Sequence, residues 1–347
     1  MLSRHLANQI EPAAVDSLIT AVEGNFGLVQ RYYGLKKRLL GVDTLYDYDR
    51  YAPVGTAKQV IPFEAGRQIV LEAFGRFSPQ MRAITEAFFT KHWIDAALRP
   101  GKRGGAFSHS TVPSVHPYIL LNYTGRTQDV MTLAHELGHG VHQYLSRQQG
   151  IFHAGTPLTT AETASVFGEQ LVFQALKAQA SAEDRLALLC EKLESAFATV
   201  FRQIVMTRFE KLLHDGRRAQ GELTTEQISD YWMQANRPMF GDVLELRPEY
   251  GIWWSYISHF THSPFYCYAY AFGELLVLAL YQQYQQQGDA FVPKYLEMLA
   301  AGGSMLPSDL VRRMGVDITD AGFWQGGLDL LGGMVAEAEA LVASLGK

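Results

Sequence analysis

A mostly α-helical fold carrying a small β-sheet is predicted by three observations. Apolar residues recur at helical spacing over long stretches, as at Val15, Leu18, Ile19, Val22, Phe26 and Val29. Residues that cap helices stand ahead of several such stretches, at Thr127, Ser181 and Thr224. One short apolar run, residues 118–123 (YILLNY), reads as a buried strand immediately before a helix that bears paired histidines.

Taken in order, the spacing predicts one helix from Val15 to about Leu40, whose end, RYYGLKKR, forms a solvated basic face. A loop or short strand follows at YDYDRYAPVG, then helices over 62–74 and 79–98. Residues 99–116, RPGKRGGAFSHSTVPSVH, gather glycine, serine and proline into a loop expected to rim a substrate site, with Gly105 as a binding residue. It lacks the GK[ST] ending of a phosphate loop, and His109 and His116 read as ordinary surface histidines. In the histidine-bearing helix Thr127 is the expected cap and Asp129 lies in the first turn, where the helix dipole favours it. Gly138 and Gly140 lie within that helix at a cost of about 1 kcal/mol each against alanine, which implies close backbone approach there.

A turn, GIFHAGTP, leads to a second periodic helix, TTAETASVFGEQLVFQAL. One long helix is expected over 181–215 and another from Thr224, where TTEQ has capping-box form. IWWSY reads as core or domain contact, and HFTHSPFYCYAYAFGE, with its alternating tyrosines, as strand-like core when taken alone. Helices fill 269–345, broken at AAGGSM and Pro307, and nothing beyond Lys294 carries evident chemistry.

The 347 residues are 48% hydrophobic and 19% charged, a soluble globular composition with room for one large core or two ordinary ones. A net charge of −5 and a pI near 6.1 give no sign of a nucleic-acid or anionic-membrane partner. No run of about 18 apolar residues exists to span a bilayer. The first residues lack the apolar core of a signal peptide, so a cytoplasmic location is expected. Cys190 and Cys267 are far apart and read as free thiols in a reducing compartment.

The chemistry centres on HELGH, His135 to His139. Imidazoles four residues apart on a helix are about 40° apart around its axis and roughly 6 Å along it, so both can face one ion. Glu136, about 100° round from His135, misses that ion and can reach a water beside it. Two neutral nitrogen ligands, an open position and a general base make up the H-E-x-x-H signature of zinc peptidases.

Glu162 follows His139 by 23 residues, enough to leave one helix and return along a neighbour. It also completes Thr159-x-x-Glu162, a capping-box pattern, and both roles are compatible. Its apolar neighbours Ala161, Ala164 and Val166 favour an inward-facing carboxylate and hence a metal ligand. Glu169 shares that face and is placed to orient a ligand histidine through its other ring nitrogen. His142 is about 10 Å from His135 along the axis, too far to share an ion, so it is expected to pack or support. In the segment 259–274, histidines and tyrosines beside a metal site can donate to an oxyanion at a scissile carbonyl.

The stretches GKRGGAFS, HPYILLNYTG, LAHELGHGVHQ, TTAETASVFGEQL, ISHFTHSPFYCYAYAFGELL and YLEMLAAGGS with GVDITDAGFW resemble the oligoendopeptidase F family of zinc metallopeptidases, relatives of thimet oligopeptidase and neurolysin. The resemblance implies a zincin-like helical fold with a small sheet beside the active-site helix. It implies one zinc ion held by His135, His139 and Glu162, Glu136 as base, and cleavage of internal bonds in oligopeptides. It carries over Tyr270 as catalytic, with His259 beside it, and His262 and Tyr266 as substrate-binding. The second tyrosine of thimet-type relatives, seven residues back from Tyr270, falls on Ser263 here. Family members are longer and carry a further helical region, so residues 1–98 are expected to be a shortened N-terminal helical portion and 99–347 the zinc-binding catalytic region. A short form, a fragment or one piece of a split enzyme fits that expectation. The competing functions are a peptide-binding zinc protein without turnover and a hydrolase of another amide or ester, and the oligomeric state stays open.

Overall fold

The structure, a computed structural model, describes residues 1–55 and 60–346. Three helices open the chain: α1 (Leu2–Asn8), α2 (Pro12–Glu23) and α3 (Phe26–Leu40). The expected single helix over 15–40 is therefore broken at Gly24 and Asn25, where the Asn25 side chain turns back to the Ala21 carbonyl. Next come α4 (Phe63–Phe77) and α5 (Pro79–Thr90), the latter capped by Ser78, whose hydroxyl accepts from the Met81 amide. α5 ends eight residues before the expected stop at 98, since the chain turns at His92 (φ 58°) into a strand.

The sheet has three short strands, β1 (Ile94–Asp95), β2 (Phe107–His109) and β3 (Tyr118–Leu120), in the order β1-β3-β2. β1 runs parallel to β3 and β2 antiparallel, with Ser108 opposite Ile119. Ile119 and Leu121 are buried, as a strand against a core requires. α6 (Thr127–Ser146) follows. Its start is held by Asp129 rather than by Thr127: one Asp129 oxygen accepts from the amides of Thr124 (2.7 Å) and Arg126 (3.0 Å). A first-turn carboxylate reaches back to orphan amides more readily than a hydroxyl already inside the helix.

Beyond α6 lie α7 (Leu158–Ala161), α8 (Thr163–Gln179), α9 (Ala182–Thr199), α10 (Phe201–Gln220) and α11 (Thr225–Phe240). The helix expected over 181–215 is two, parted at Val200. Thr224 and Gln227 form the capping box that TTEQ announces. The PEYGIWWSY stretch is a 3-10 helix. α12 (His259–His262), α13 (Tyr268–Gln287), α14 (Phe291–Ala300), α15 (Pro307–Arg312) and α16 (Ala321–Leu345) complete the chain. No helix among the described residues is long and apolar enough to cross a membrane.

These elements form two compact units. The first gathers Met1–Thr56, Ala182–Leu275 and Thr319–Lys347, and the second Ala57–Ser181 and Leu276–Ile318. The boundary expected at 98/99 falls inside the second unit. In the first, α16 packs on α2, α3 and α9 around buried Trp324, Tyr32 and Phe197. In the second, α6 lies along α8, with α4 and α5 beside them and the rings of Phe77, Phe167, Phe291 and Tyr295 clustered in the core.

Candidate active site

The second unit brings two helices to backbone contact. A Cβ on Gly138 of α6 would lie 2.3 Å from the Ala164 carbonyl oxygen of α8, and one on Gly168 of α8 would lie 3.1 Å from the Ala134 carbonyl oxygen of α6. Only glycine permits that approach, which is the close contact the mid-helix glycines implied. Gly140 faces the Phe88 ring instead, at 2.6 Å from its would-be Cβ. From α14 the buried Tyr295 hydroxyl donates to the Thr163 carbonyl (2.9 Å), fixing the first turn of α8.

The consequence is a convergence of donors. His135 Nε2 and His139 Nε2 each lie 3.3 Å from Glu162 Oε2. Glu162 stands in the break between α7 and α8, and its side chain makes no cap bond to the first turn of α8. Two donors about 2.1 Å from a tetrahedral ion are about 3.4 Å apart, so this spacing fits a four-coordinate divalent metal. The donor set of two imidazoles and one carboxylate fits as well. Ser165 Oγ donates to the same Glu162 oxygen (2.7 Å), and Glu169 Oε2 lies 3.5 Å from His135 Nδ1, on the nitrogen that faces away from the cradle.

Electrostatics reflect the crowding. Burial works to lower the His135 pKa, but Glu162 and Glu169 on its two nitrogens outweigh it and lift it to about 10. Burial likewise works to raise Glu162, yet the two histidines hold it well below the usual carboxylate range. His142 is buried and pushed down to about 4, a neutral ring that lines the same cavity. Glu136 is 6% exposed, and burial pushes its carboxyl up while the two histidines pull it down. Its Oε2 has no hydrogen-bond partner among the described residues.

A cavity of about 430 Å³ opens over these groups, between β2 and the strip 154–156. Its walls are held by residues the sequence reading passed over. Lys102, its ammonium nearly buried, donates to the carbonyls of Asp95, Ala97 and Leu121, and Asn122 donates to those of Arg103 and Gly105. Together they shape the glycine-rich loop, in which Gly105 takes φ 83°. Ser108 of β2 is engaged by α6: its carbonyl accepts from Gln143 Nε2 (3.3 Å) and its hydroxyl donates to Gln143 Oε1 (2.8 Å). On the opposite wall Ser146 donates to the Ala154 carbonyl (2.8 Å), and the Gly303 amide donates to the His153 carbonyl (2.8 Å). A Cβ at Gly303 would stand 2.2 Å from the Gly155 oxygen, which gives AAGGSM a structural purpose after all. His109 and His116 serve local structure: His109 Nδ1 accepts from the Thr111 amide, and His116 stacks on Trp93 at 4.0 Å.

In the first unit the segment expected to be strand-like is helical, because Cys267, Tyr268 and Ala269 are all buried and no face alternates. His259 Nε2 lies 3.1 Å from the Tyr270 hydroxyl, and Tyr266 stacks on His259 at 5.4 Å. His262 ends α12, exposed. The turn joining α12 to α13 forces Phe265 to φ 57°, and its amide donates to Glu210 Oε1 (2.7 Å). Burial pushes Glu210 up to about 7, with the Phe265 bond opposing. Nothing in the sequence around Glu210 distinguishes it from any helical glutamate.

Comparisons with known proteins bear on the family and the fold. The chain is 32% identical over 315 residues to oligopeptidase PepF of Bacillus subtilis, covering 90% of this chain and 47% of that protein. It is 31% identical over 340 residues to an oligoendopeptidase F homolog of Lactococcus lactis, covering 97% and 56%. A solved structure from Chlamydophila abortus superposes with TM-score 0.90 at 28% identity, over 97% of this chain and 57% of that one. Oligoendopeptidase-F from Enterococcus faecium superposes with TM-score 0.76 at 27% identity, over 99% and 55%. The chain thus spans about half the length of the relatives it matches. The model of peptidase family M3 matches residues 2–330, so this chain belongs to that family.

Proposed function

We propose that the chain hydrolyses internal peptide bonds of short, unfolded peptides, using one zinc ion held by His135, His139 and Glu162. The observation that carries this reading is the meeting of three donors on one point with a fourth group, Glu136, left free beside them. When bound, zinc would supply a Lewis acid that acidifies water and polarises a carbonyl. Glu136 then takes the proton from water and returns it to the leaving amine; a carboxyl raised by burial suits both transfers. Glu169 keeps His135 in the tautomer whose Nε2 is a free ligand, and Ser165 steadies the Glu162 oxygen.

An extended peptide can lie along β2. Ser108 is already engaged by α6, so by the strand period of two the outward backbone groups left for pairing are those of Ala106 and Ser110, both in the cavity wall. Gly105 adjoins them. Tyr270, with His259 on its hydroxyl, is assigned as oxyanion donor, and His262 and Tyr266 as substrate contacts, on the family pattern.

Glu136→Gln tests the assignment: the variant is expected to bind one zinc per chain and to cleave no quenched peptide, whereas wild-type turnover would remove Glu136 from the role. A second reading is a zinc protein that holds peptides without cleaving them. Peptide binding without chelator-sensitive cleavage by the wild-type chain would select that reading.

A further inference from the structure

The first unit contains a cluster of charges that does not balance. Lys36 is fully buried and donates to Glu194 Oε1 (2.6 Å) and to the Arg50 carbonyl (2.5 Å); Tyr32 also donates to Glu194. Asp47 is buried and pairs with Arg247 (3.1 Å). Both carboxylates are thereby committed, and two further guanidinium groups remain, Arg50 and Arg202. Arg50 is 2% exposed. Its Nε donates to the Asp47 carbonyl (2.9 Å), and the rings of Tyr51, Phe240, Tyr250 and Trp253 surround its Cζ at 5.1–5.5 Å.

Aromatic faces attract a cation, but they do not accept each of its hydrogens. Arg50 Nη2 and Arg202 Nε are both buried without a hydrogen-bond partner among the described residues. Arg202 donates from its other end to the Tyr256 hydroxyl. The two arginines line one small cavity of about 20 Å³, together with Tyr33, Tyr51 and Phe197. That space holds about one particle the size of a water molecule. An uncompensated buried cation is costly, and water brings no charge to offset it.

We propose that this cavity is a binding site for a monatomic anion of the halide class, chloride under ordinary conditions, held between Arg50 and Arg202. A halide accepts several hydrogen bonds without directional demand, supplies the missing negative charge and fits where carboxylate or phosphate does not. Glu194 lines the same cavity, but Lys36 and Tyr32 both donate to its Oε1, and its one negative charge is already paired with the buried Lys36 ammonium.

The test compares thermal unfolding of the intact chain, at one metal content and fixed ionic strength, in sodium chloride and in sodium gluconate, whose anion is too large to enter. A saturable rise in Tm with chloride is expected, reproduced by bromide. Arg202→Gln, at a half-buried position, is expected to weaken the apparent chloride affinity about tenfold or more by removing a charge-assisted bond. Crystals grown in bromide should show anomalous density between Arg50 Nη2 and Arg202 Nε. Equal Tm in the two salts, or a crystal with only water or nothing in that cavity, overturns the proposal. Should Arg202→Gln fail to fold, the bromide density in the wild-type chain decides.

Discussion

The cradle of His135, His139 and Glu162 in the second unit and the histidine–tyrosine turn of the first hold their side chains by opposite means. In the cradle, α6 and α8 meet main chain to main chain, and the glycines at 138 and 168 leave nothing between them that could move. In the turn, a four-residue helix and a residue at positive φ hang on one buried carboxylate, Glu210. Ligands to an ion need placement to a few tenths of an ångström, which backbone packing delivers. A group that donates one hydrogen bond tolerates more play, and a single polar tether is enough for it.

Breaking the backbone contact should therefore do the most damage. Gly138→Ala would ordinarily stabilise a helix by about 1 kcal/mol. Here its methyl meets a carbonyl oxygen at 2.3 Å, and backbone cannot swing aside as a ring can. The variant is expected to lose on the order of 3 kcal/mol of stability or fail to fold, and to bind zinc at least about 100-fold more weakly than wild type. Competition against a fluorescent chelator reads the affinity. Gly140→Ala, which meets side chains alone, the Phe88 ring and at 3.4 Å Ile119 Cδ1, is the control with the smaller loss. Equal losses in the two variants would mean that α6 and α8 are free to separate.

The turn should instead respond to pH. Glu210 titrates near 7 in the folded chain and near 4.5 when unfolded, so between those values the folded chain holds a proton that the unfolded chain has released. The contribution is complete below pH 4.5, is lost as pH rises towards 7, and amounts to on the order of 3 kcal/mol. His214, Arg4 and the Met1 amino group face the carboxylate and temper the loss. Glu210→Gln keeps an acceptor for Phe265 but cannot ionise. Its denaturant-derived stability, set against wild type across that window, should gain steadily with pH and level off above 7. Parallel curves would show that Glu210 does not carry the slope.

A smaller effect separates the ligands from what orients them. Glu169→Ala leaves all three donor atoms in place and removes the acceptor on His135 Nδ1, so a loss of about tenfold in zinc affinity is expected. A loss as large as that of Gly138→Ala would make Glu169 part of the cradle itself.

The cradle could be read from the sequence because its rule is periodic. Four residues bring His135 and His139 to one side of a helix, and the intervening turn returns Glu162 beside them. Of the two mid-helix glycines, Gly138 announced the backbone contact, and Gly140 marks the place of the Phe88 ring. Periodicity also misled. Apolar spacing runs unbroken through Gly24 and through Val200, since the helices on either side bury similar faces, and neither break carries a proline. The tyrosines at 266, 268 and 270 alternate by accident: Cys267, Tyr268 and Ala269 are buried in succession, while Tyr270 is exposed. Contacts between distant segments left no local trace at all: Glu210 reaches Phe265 across 55 residues, Tyr295 reaches Thr163 across 132, and the Gly303 amide buttresses His153.

The finest test of the comparison concerns Arg4, the other group that holds the turn. Its Nε donates to the Pro264 carbonyl (3.2 Å) at the surface, and its guanidinium lies 5.6 Å over the Tyr266 ring. Both contacts are open to water, where a cation on an aromatic face contributes about 0.5–1 kcal/mol and an exposed hydrogen bond no more. Arg4→Met keeps the apolar stem and drops the charge, so stability should fall by less than about 1 kcal/mol and zinc affinity should not change. If the variant lost as much as Glu210→Leu, which strips the Phe265 amide of its buried acceptor, the turn would be held from its surface, and the buried carboxylate would no longer distinguish it from an ordinary loop.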